Sequence, residues 1–231
     1  MVTPGSIFLL MLLLGSVQVD ARIVSFQAPG IAESKDYQVW ANGKDIFTGQ
    51  TGGRPHGYYS FATFDFSGTV TLRVRCLRAV KWLDILPSSL GITPVTIDGY
   101  TFEFTLAEPE DITILLNNDR NNALHILTNR PETEIPDPAE ENVLFYKAGQ
   151  TYDVGVLDLV DNQTLYIEGG AKLKGMLRVR DASNVRIMGR GMIDGTDNKS
   201  RGNGRFNDEP WRLIYMENAR KVKVEGITLF N

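Results

Sequence analysis

Asp161-Asn162-Gln163-Thr164-Leu165-Tyr166-Ile167-Glu168-Gly169-Gly170 is echoed by Ser183-Asn184-Val185-Arg186-Ile187-Met188-Gly189-Arg190-Gly191 and by Arg220-Lys221-Val222-Lys223-Val224-Glu225-Gly226-Ile227. Each stretch is a polar turn, an apolar-polar-apolar triplet, and a glycine two residues after the second apolar position. Ile167 and Ile187 are 20 residues apart, Ile187 and Val224 are 37 apart, and the second interval reduces to one turn if the polar stretch from Thr196 to Pro210 is a loop hung outside. A self-similar period of about 20 to 50 residues marks stacked-coil architectures, and the triplets carry strand periodicity, not helix periodicity.

The spacing predicts a right-handed parallel β-helix. Leu165, Ile167, Val185, Ile187, Val222 and Val224 are expected to point inward in ladders, with Tyr166, Arg186 and Lys223 facing solvent. The competing reading is an antiparallel sandwich with hairpins of similar spacing.

Upstream, Tyr37 to Phe47 alternates around Asn42-Gly43, a strong hairpin signal because both residues tolerate positive φ. Alternating runs follow at Tyr59–Phe66, Val70–Cys76, Val80–Leu86, Thr101–Leu106, Ile112–Leu116 and Ala123–Leu127. Strands at intervals of about ten residues indicate a β-sandwich. No helix of convincing length is present. The expected class is therefore all-β: an N-terminal antiparallel β-sandwich over 22–130, then the first coils of a right-handed parallel β-helix over 143–231. Pro131, Pro136 and Pro138 with four glutamates and an aspartate make 131–142 an extended, solvated linker.

The apolar run Ile7–Leu14 is too short to span a bilayer and precedes Val19-Asp20-Ala21, a small-residue cleavage pattern. Residues 1–21 are thus expected to be a signal peptide, making the mature protein secreted or periplasmic, with no membrane partner after cleavage. With 24 basic and 28 acidic residues the net charge is −4, which argues against a nucleic-acid partner. The single cysteine, Cys76, sits in an alternating run and reads as a small buried hydrophobe. His56 and His125 are far apart in sequence and do not compose a metal site. No cofactor is expected, and the protein is expected to be a monomer.

The phrase from Asn184 to Gly195, with Trp211–Asn218 and Val222–Asn231, resembles the early coils of the polygalacturonase family, glycoside hydrolase family 28. That family reads Gly-x-Gly-x-Ile-Asp-Gly, then a loop, then Leu-Ile-x-Phe and Asn-Val-x-Ile-x-Gly-Val-Thr-Leu-x-Asn. Ala148-Gly149-Gln150 and Leu165–Gly175 also resemble the dextranase family, family 49, which places a β-sandwich before the same kind of β-helix. The resemblance implies hydrolysis of a polysaccharide, pectin or a related glycan, with inversion. A carboxylic acid protonates the leaving oxygen while carboxylates about 6.5 to 9.5 Å away activate water. In polygalacturonases those groups lie in Asn-Thr-Asp, Asp-Asp, Gly-His-Gly and Arg-Ile-Lys motifs, none of which this sequence contains, so no catalytic residue is assigned. A stack ending at Asn231 would expose its last cross-section and strand edges. The expectation is therefore a truncated product that, expressed alone, aggregates or binds a hydrophobic dye and cleaves neither polygalacturonate nor dextran.

Candidate substrate-binding residues are Trp211, which would stack on a sugar face, Arg205 and Arg212, which with Arg201 would fork onto a uronate carboxylate, and Asp197 in the polar loop. Each also has a plain structural reading as loop or core. Asp208 and Glu209 share that loop, and Asp194 in Ile193-Asp194-Gly195 reads first as a turn residue. Asn162 and Asn198 begin glycosylation sequons, meaningful only in a eukaryotic host. Two other classes remain open: a carbohydrate-binding or adhesion protein whose sandwich holds a glycan, and a polysaccharide lyase, which often uses Ca²⁺ and for which no fitting acidic cluster is visible.

Overall fold

The computed structural model describes residues 22–53, 57–196 and 212–230. Strands account for nearly all regular structure, in four sheets. Among the described residues, helical structure is confined to two single 3₁₀ turns, Ser88–Leu90 and Arg120–Asn122.

Two sheets form the sandwich. Val70–Cys76 shows why: Val70, Leu72, Val74 and Cys76 are buried while Thr71, Arg73 and Arg75 are exposed, the period-two pattern of a strand with one dry face. It lies centrally in a five-stranded sheet ordered Lys44–Ile46, Tyr37–Ala41, Val70–Cys76, Thr101–Leu106, Val95–Thr96. The Asn42-Gly43 turn has φ of +46° and +79°, the doubly positive geometry of the predicted hairpin. Facing it is a seven-stranded sheet ordered Ala32–Glu33, Thr48–Gly53, Gly57–Phe66, Leu124–Asn129, Ile112–Leu116, Leu83–Leu86, with Ile23–Ser25 also on Gly57–Phe66. Phe64, Phe66, Leu72, Phe102, Ile114 and Leu124 fill the space between them. Each such side chain removed from water contributes about 1.5 to 3 kcal/mol.

One pair departs from the antiparallel expectation. Leu124–Asn129 runs parallel to Gly57–Phe66, Leu124 opposite Ser60 and Asn129 opposite Asp65. A parallel neighbour requires a long crossover, and residues 67–123 provide it by visiting the other sheet.

The second half is a parallel β-helix, as the spacing predicts. One sheet stacks Val143–Tyr146, Thr164–Ile167, Arg186–Gly189 and Lys223–Val224. The other stacks Thr151–Leu159, Lys172–Arg180, Met192–Asp194 and Thr228–Phe230, with Ile214–Glu217 also on Lys172–Arg180. Every inter-coil pairing is parallel. Leu159, Leu165, Ile167, Leu173, Leu177, Val179, Val185, Ile187 and Ile193 form its core.

The register corrects the sequence reading by two residues. Ile187 lies over Leu165, and Ile167 lies under Gly189. The first repeat is thus 22 residues, whereas Ile187 over Val224 keeps the 37 expected. An even slip leaves every inward side chain inward, so the apolar pattern cannot distinguish the two registers. Val224, expected inside, is 40% exposed at the last rung of its sheet.

Tyr166 is a second correction. Expected to face solvent, it is 1% exposed, with its ring 4.8 Å from that of Phe145. The segment 131–142 covers it: Tyr166 Oη donates to Glu132 at 3.0 Å, and Glu134 pairs with Arg186 at 2.7 Å. That segment has no strand, as its prolines dictate; Glu132 and Glu134 are tied to the outside of the coils, while Asp137, Glu140 and Glu141 stay exposed as expected of a solvated linker.

Candidate functional site

The outward face of the second parallel sheet is where the coils line up chemistry. In Lys172–Arg180, Leu173, Leu177 and Val179 point into the core, which sends Arg178 and Arg180 outward. Parallel pairing places Asp158 beside Arg178 and Arg178 beside Tyr215, with Arg180 beside Glu217 on the next position. Adjacent coils are about 4.8 Å apart, so these side chains form a continuous patch.

Within it Arg178 and Arg180 are each matched to a carboxylate. The Arg178 guanidinium grips Asp158 in a fork, Nη2 to Oδ2 at 2.7 Å, and Arg180 Nε donates to Glu217 Oε2 at 2.7 Å. Hydrogen bonding to Arg178 holds the Asp158 carboxyl below its ordinary value, and the bond to Glu217 raises Arg180. Asp158 is therefore an ionised acceptor, not a proton donor. The guanidiniums of Arg180 and Arg212 lie 5.8 and 5.7 Å from the Tyr215 ring centroid. The patch thus offers two carboxylates already held by guanidiniums, beside an aromatic ring: fixed hydrogen-bonding groups next to a partly apolar surface.

Arg212 is the one nominated substrate-binding residue that this face contains. Trp211, Arg205 and Asp197, like Arg201, Asp208, Glu209 and the sequon residue Asn198, lie outside the described residues, as do His56 and the leader 1–21. Arg178, Arg180, Asp158, Tyr215 and Glu217 were missed. Their signal was the alternation of polar residues along Lys172–Arg180 and Ile214–Glu217.

Two other carboxylates belong to the framework. Asp194, 5% exposed, accepts from Thr196 N and Oγ1 at 3.0 and 2.7 Å and lies 3.5 Å from Lys172 Nζ. Asp65 lies at the junction of sandwich and β-helix. Arg190 Nε donates to its two oxygens at 2.7 and 2.9 Å, while Arg190 Nη2 donates to Arg130 O at 2.8 Å. Burial, outweighing Arg190, pushes the Asp65 carboxyl up to about 6. The cavity beside this pair is about 120 Å³. Ligand pockets run to roughly 300 Å³ and above, so this is a joint and not a sugar site. Around it Ala28, Phe61 and Met192 pack with Ile31 and Phe230, the Phe61 and Phe230 rings 5.7 Å apart.

Cys76 is buried and its thiol is pushed up to about 12, so it is the inert hydrophobe expected. His125 is held below its ordinary value by burial, and its Nδ1 lies 3.0 Å from Thr113 Oγ1. Asn162 has φ of +61° and its Oδ1 accepts from Asn184 Nδ2 at 2.9 Å, an inter-coil rung of the turn. Among the described residues, no three His, Cys, Asp or Glu side chains gather as a metal site, and no helix is long and apolar enough to cross a membrane.

No family model matches the sequence, and no curated protein matches it. Among solved structures the chain is similar to Dex49A from Penicillium minioluteum, with a TM-score of 0.64, 14% identity and coverage of 89% of this chain and 56% of that one. Coverage of that extent takes in both the sandwich and the coils. At that identity the likeness is one of fold. The chain spans just over half the length of that neighbour.

Proposed function

We propose that the chain is the polysaccharide-recognising part of a secreted glycan hydrolase of dextranase type, and that its substrate is a neutral glucan instead of polygalacturonate. The observation that carries this reading is the run of sandwich into β-helix that it shares with Dex49A, a dextranase, over 89% of its length. Electrostatics supports the same choice. A uronate polymer needs several cations free to take its carboxylates along the chain, whereas Arg178, Arg180, Arg186 and Arg190 are each committed to a carboxylate of the chain itself, and on the described coil face Arg212 alone, against the Tyr215 ring, is left to take one. Displacing such a partner would leave one carboxylate unpaired for each one bound. A neutral glucan asks for no displacement: its hydroxyls bridge existing pairs, and its ring faces lie on Tyr215.

Asp158 and Glu217 on the coil face are both held by arginines, so in this reading the chain's share of the work is holding substrate. Native gels containing dissolved polysaccharide test this directly. The chain is expected to be slowed by dextran and to run unchanged in polygalacturonate, and to release reducing ends from neither polymer. Retardation by polygalacturonate alone would restore the pectin reading, and release of reducing ends would show that the reacting groups are present in these 231 residues.

A further inference from the structure

We infer that the outer face of the five-stranded sandwich sheet is a second glycan site, centred on Trp40, that binds a short run of neutral sugar residues; this rests on the glycan reading above. Trp40 sits on the strand Tyr37–Ala41, where Val39 and Ala41 point into the core, so its indole stands on the opposite, outer face. A half-buried tryptophan there packs against no part of the sandwich core. Its Nε1 has no hydrogen-bond partner among the described residues.

Cross-strand register sets what surrounds it. Trp40 is directly opposite Arg73, and Arg73 is directly opposite Glu103. Arg73 Nε donates to Glu103 Oε1 at 2.6 Å, fixing both side chains beside the indole. One position along, Gln38, Arg75 and Thr101 form a second polar row. The Asn42-Gly43 turn and the segment Ile97-Asp98 rise at the two sides, enclosing a trough of about 530 Å³. Its floor crosses two strand spacings, roughly 10 Å, which is wide enough for a pyranose chain laid over the sheet.

The charge in the trough selects the ligand. Arg73 and Arg75 are balanced by Glu103 and Asp98, so there is no net field to attract a polyanion. Fixed donors and acceptors around one aromatic face are the ordinary means of binding a polyhydroxylated ring: stacking for the C–H face, charge-assisted hydrogen bonds for the hydroxyls. The trough is of the size of small-ligand pockets, whereas the junction cavity beside Asp65 is not. The trough is also built on the sandwich alone, so it would hold a polymer at a distance from the coil face and raise the local concentration of substrate there.

The test is affinity electrophoresis of the whole chain, with variants, in gels carrying dextran, a mixed-linkage glucan, a galactomannan or polygalacturonate. Trp40→Ala is expected to weaken binding to the neutral polymer that retards the native chain by about tenfold or more, one stacking contact being worth on the order of a tenfold step. Trp40→Phe should keep most of the affinity. The unfolding temperature of both variants should stay near that of the native chain, since the residue lies outside the core. Tyr215→Ala, on the coil face, is the counterpart. Unchanged binding by Trp40→Ala overturns the trough and leaves the glycan reading standing. Loss in Trp40→Ala with a neutral polymer other than dextran supports the trough and overturns the dextran assignment. Retardation by no neutral polymer overturns both.

Discussion

Replacing Arg190 with alanine is expected to cost about 3 to 5 kcal/mol of stability at neutral pH, because it strands a charge in the joint between the two halves of the molecule. Arg190 is 11% exposed at its side chain and Asp65 3%, so water does not replace the lost partner. Arg190 Nη1 also donates to Gly189 O at 2.9 Å and lies 3.9 Å from Glu132 Oε1, so the same change loosens the segment after the sandwich. Urea unfolding at equilibrium measures the loss. The double variant Asp65→Leu/Arg190→Met should recover most of it, since two apolar groups leave nothing unpaired.

The joint also predicts a pH signature. Asp65 titrates near 6 in the fold against 3.8 for a free aspartate, so between those values the folded chain binds a proton that the unfolded chain has released. Stability therefore rises as pH falls from about 6 to about 4 and declines on the way back up. Below about 4 the trend reverses, because Asp119 and Asp158, whose carboxyls are held low by Arg78 and Arg178, lose those partners on protonation. Asp65→Asn should flatten the upper limb and leave the lower one. For the same reason the penalty of Arg190→Ala should shrink at pH values under 6, where a neutral Asp65 needs no counter-charge.

The second large effect concerns Gly189→Ala, expected to destabilise by about 2 to 6 kcal/mol. Gly189 has φ of +119°, a region that L side chains avoid, and an added Cβ would overlap the carbonyl oxygen of Ile167 on the coil below. That oxygen accepts from both Arg190 N and Gly191 N at 2.9 Å, so it cannot move aside without breaking the inter-coil ladder. Gly149→Ala separates the two causes. Its φ of +78° carries the backbone strain, but nothing lies within 4 Å of the new Cβ, so its cost should be only about 1 to 2 kcal/mol. Denaturation of the two variants side by side reads the difference.

What the sequence carried and what it hid follow from the reach of each signal. Alternation of apolar residues is local, so the strands Val70–Cys76, Thr101–Leu106 and Thr164–Ile167, and the stacking of coils, were legible. Register was not, because a slip of two residues preserves the apolar face and only inter-coil hydrogen bonds decide it. The burial of Tyr166 was hidden because the covering group, Glu132, is 34 residues away in a stretch whose composition reads as solvated. The Asp65–Arg190 joint spans 125 residues and has no local trace at all. The resemblance to β-helix hydrolases gave the order of modules, while the proposed preference for a neutral substrate rests on seeing Arg178, Arg180, Arg186 and Arg190 beside their carboxylates. Trp40 lies within the alternating hairpin Tyr37 to Phe47, and nothing along the chain says that Arg73 and Glu103 stand next to it.

The central claim is that this chain recognises an uncharged glucan through pre-paired ions and aromatic faces. Calorimetric titration of the whole chain with short dextran-derived oligosaccharides and with oligogalacturonates, each at low and at high salt, tests it most directly. The account predicts measurable binding of the dextran fragments with an affinity that salt leaves unchanged, and no heat from the oligogalacturonates. Binding of oligogalacturonates that weakens as salt is added, with none for the dextran fragments, would contradict it.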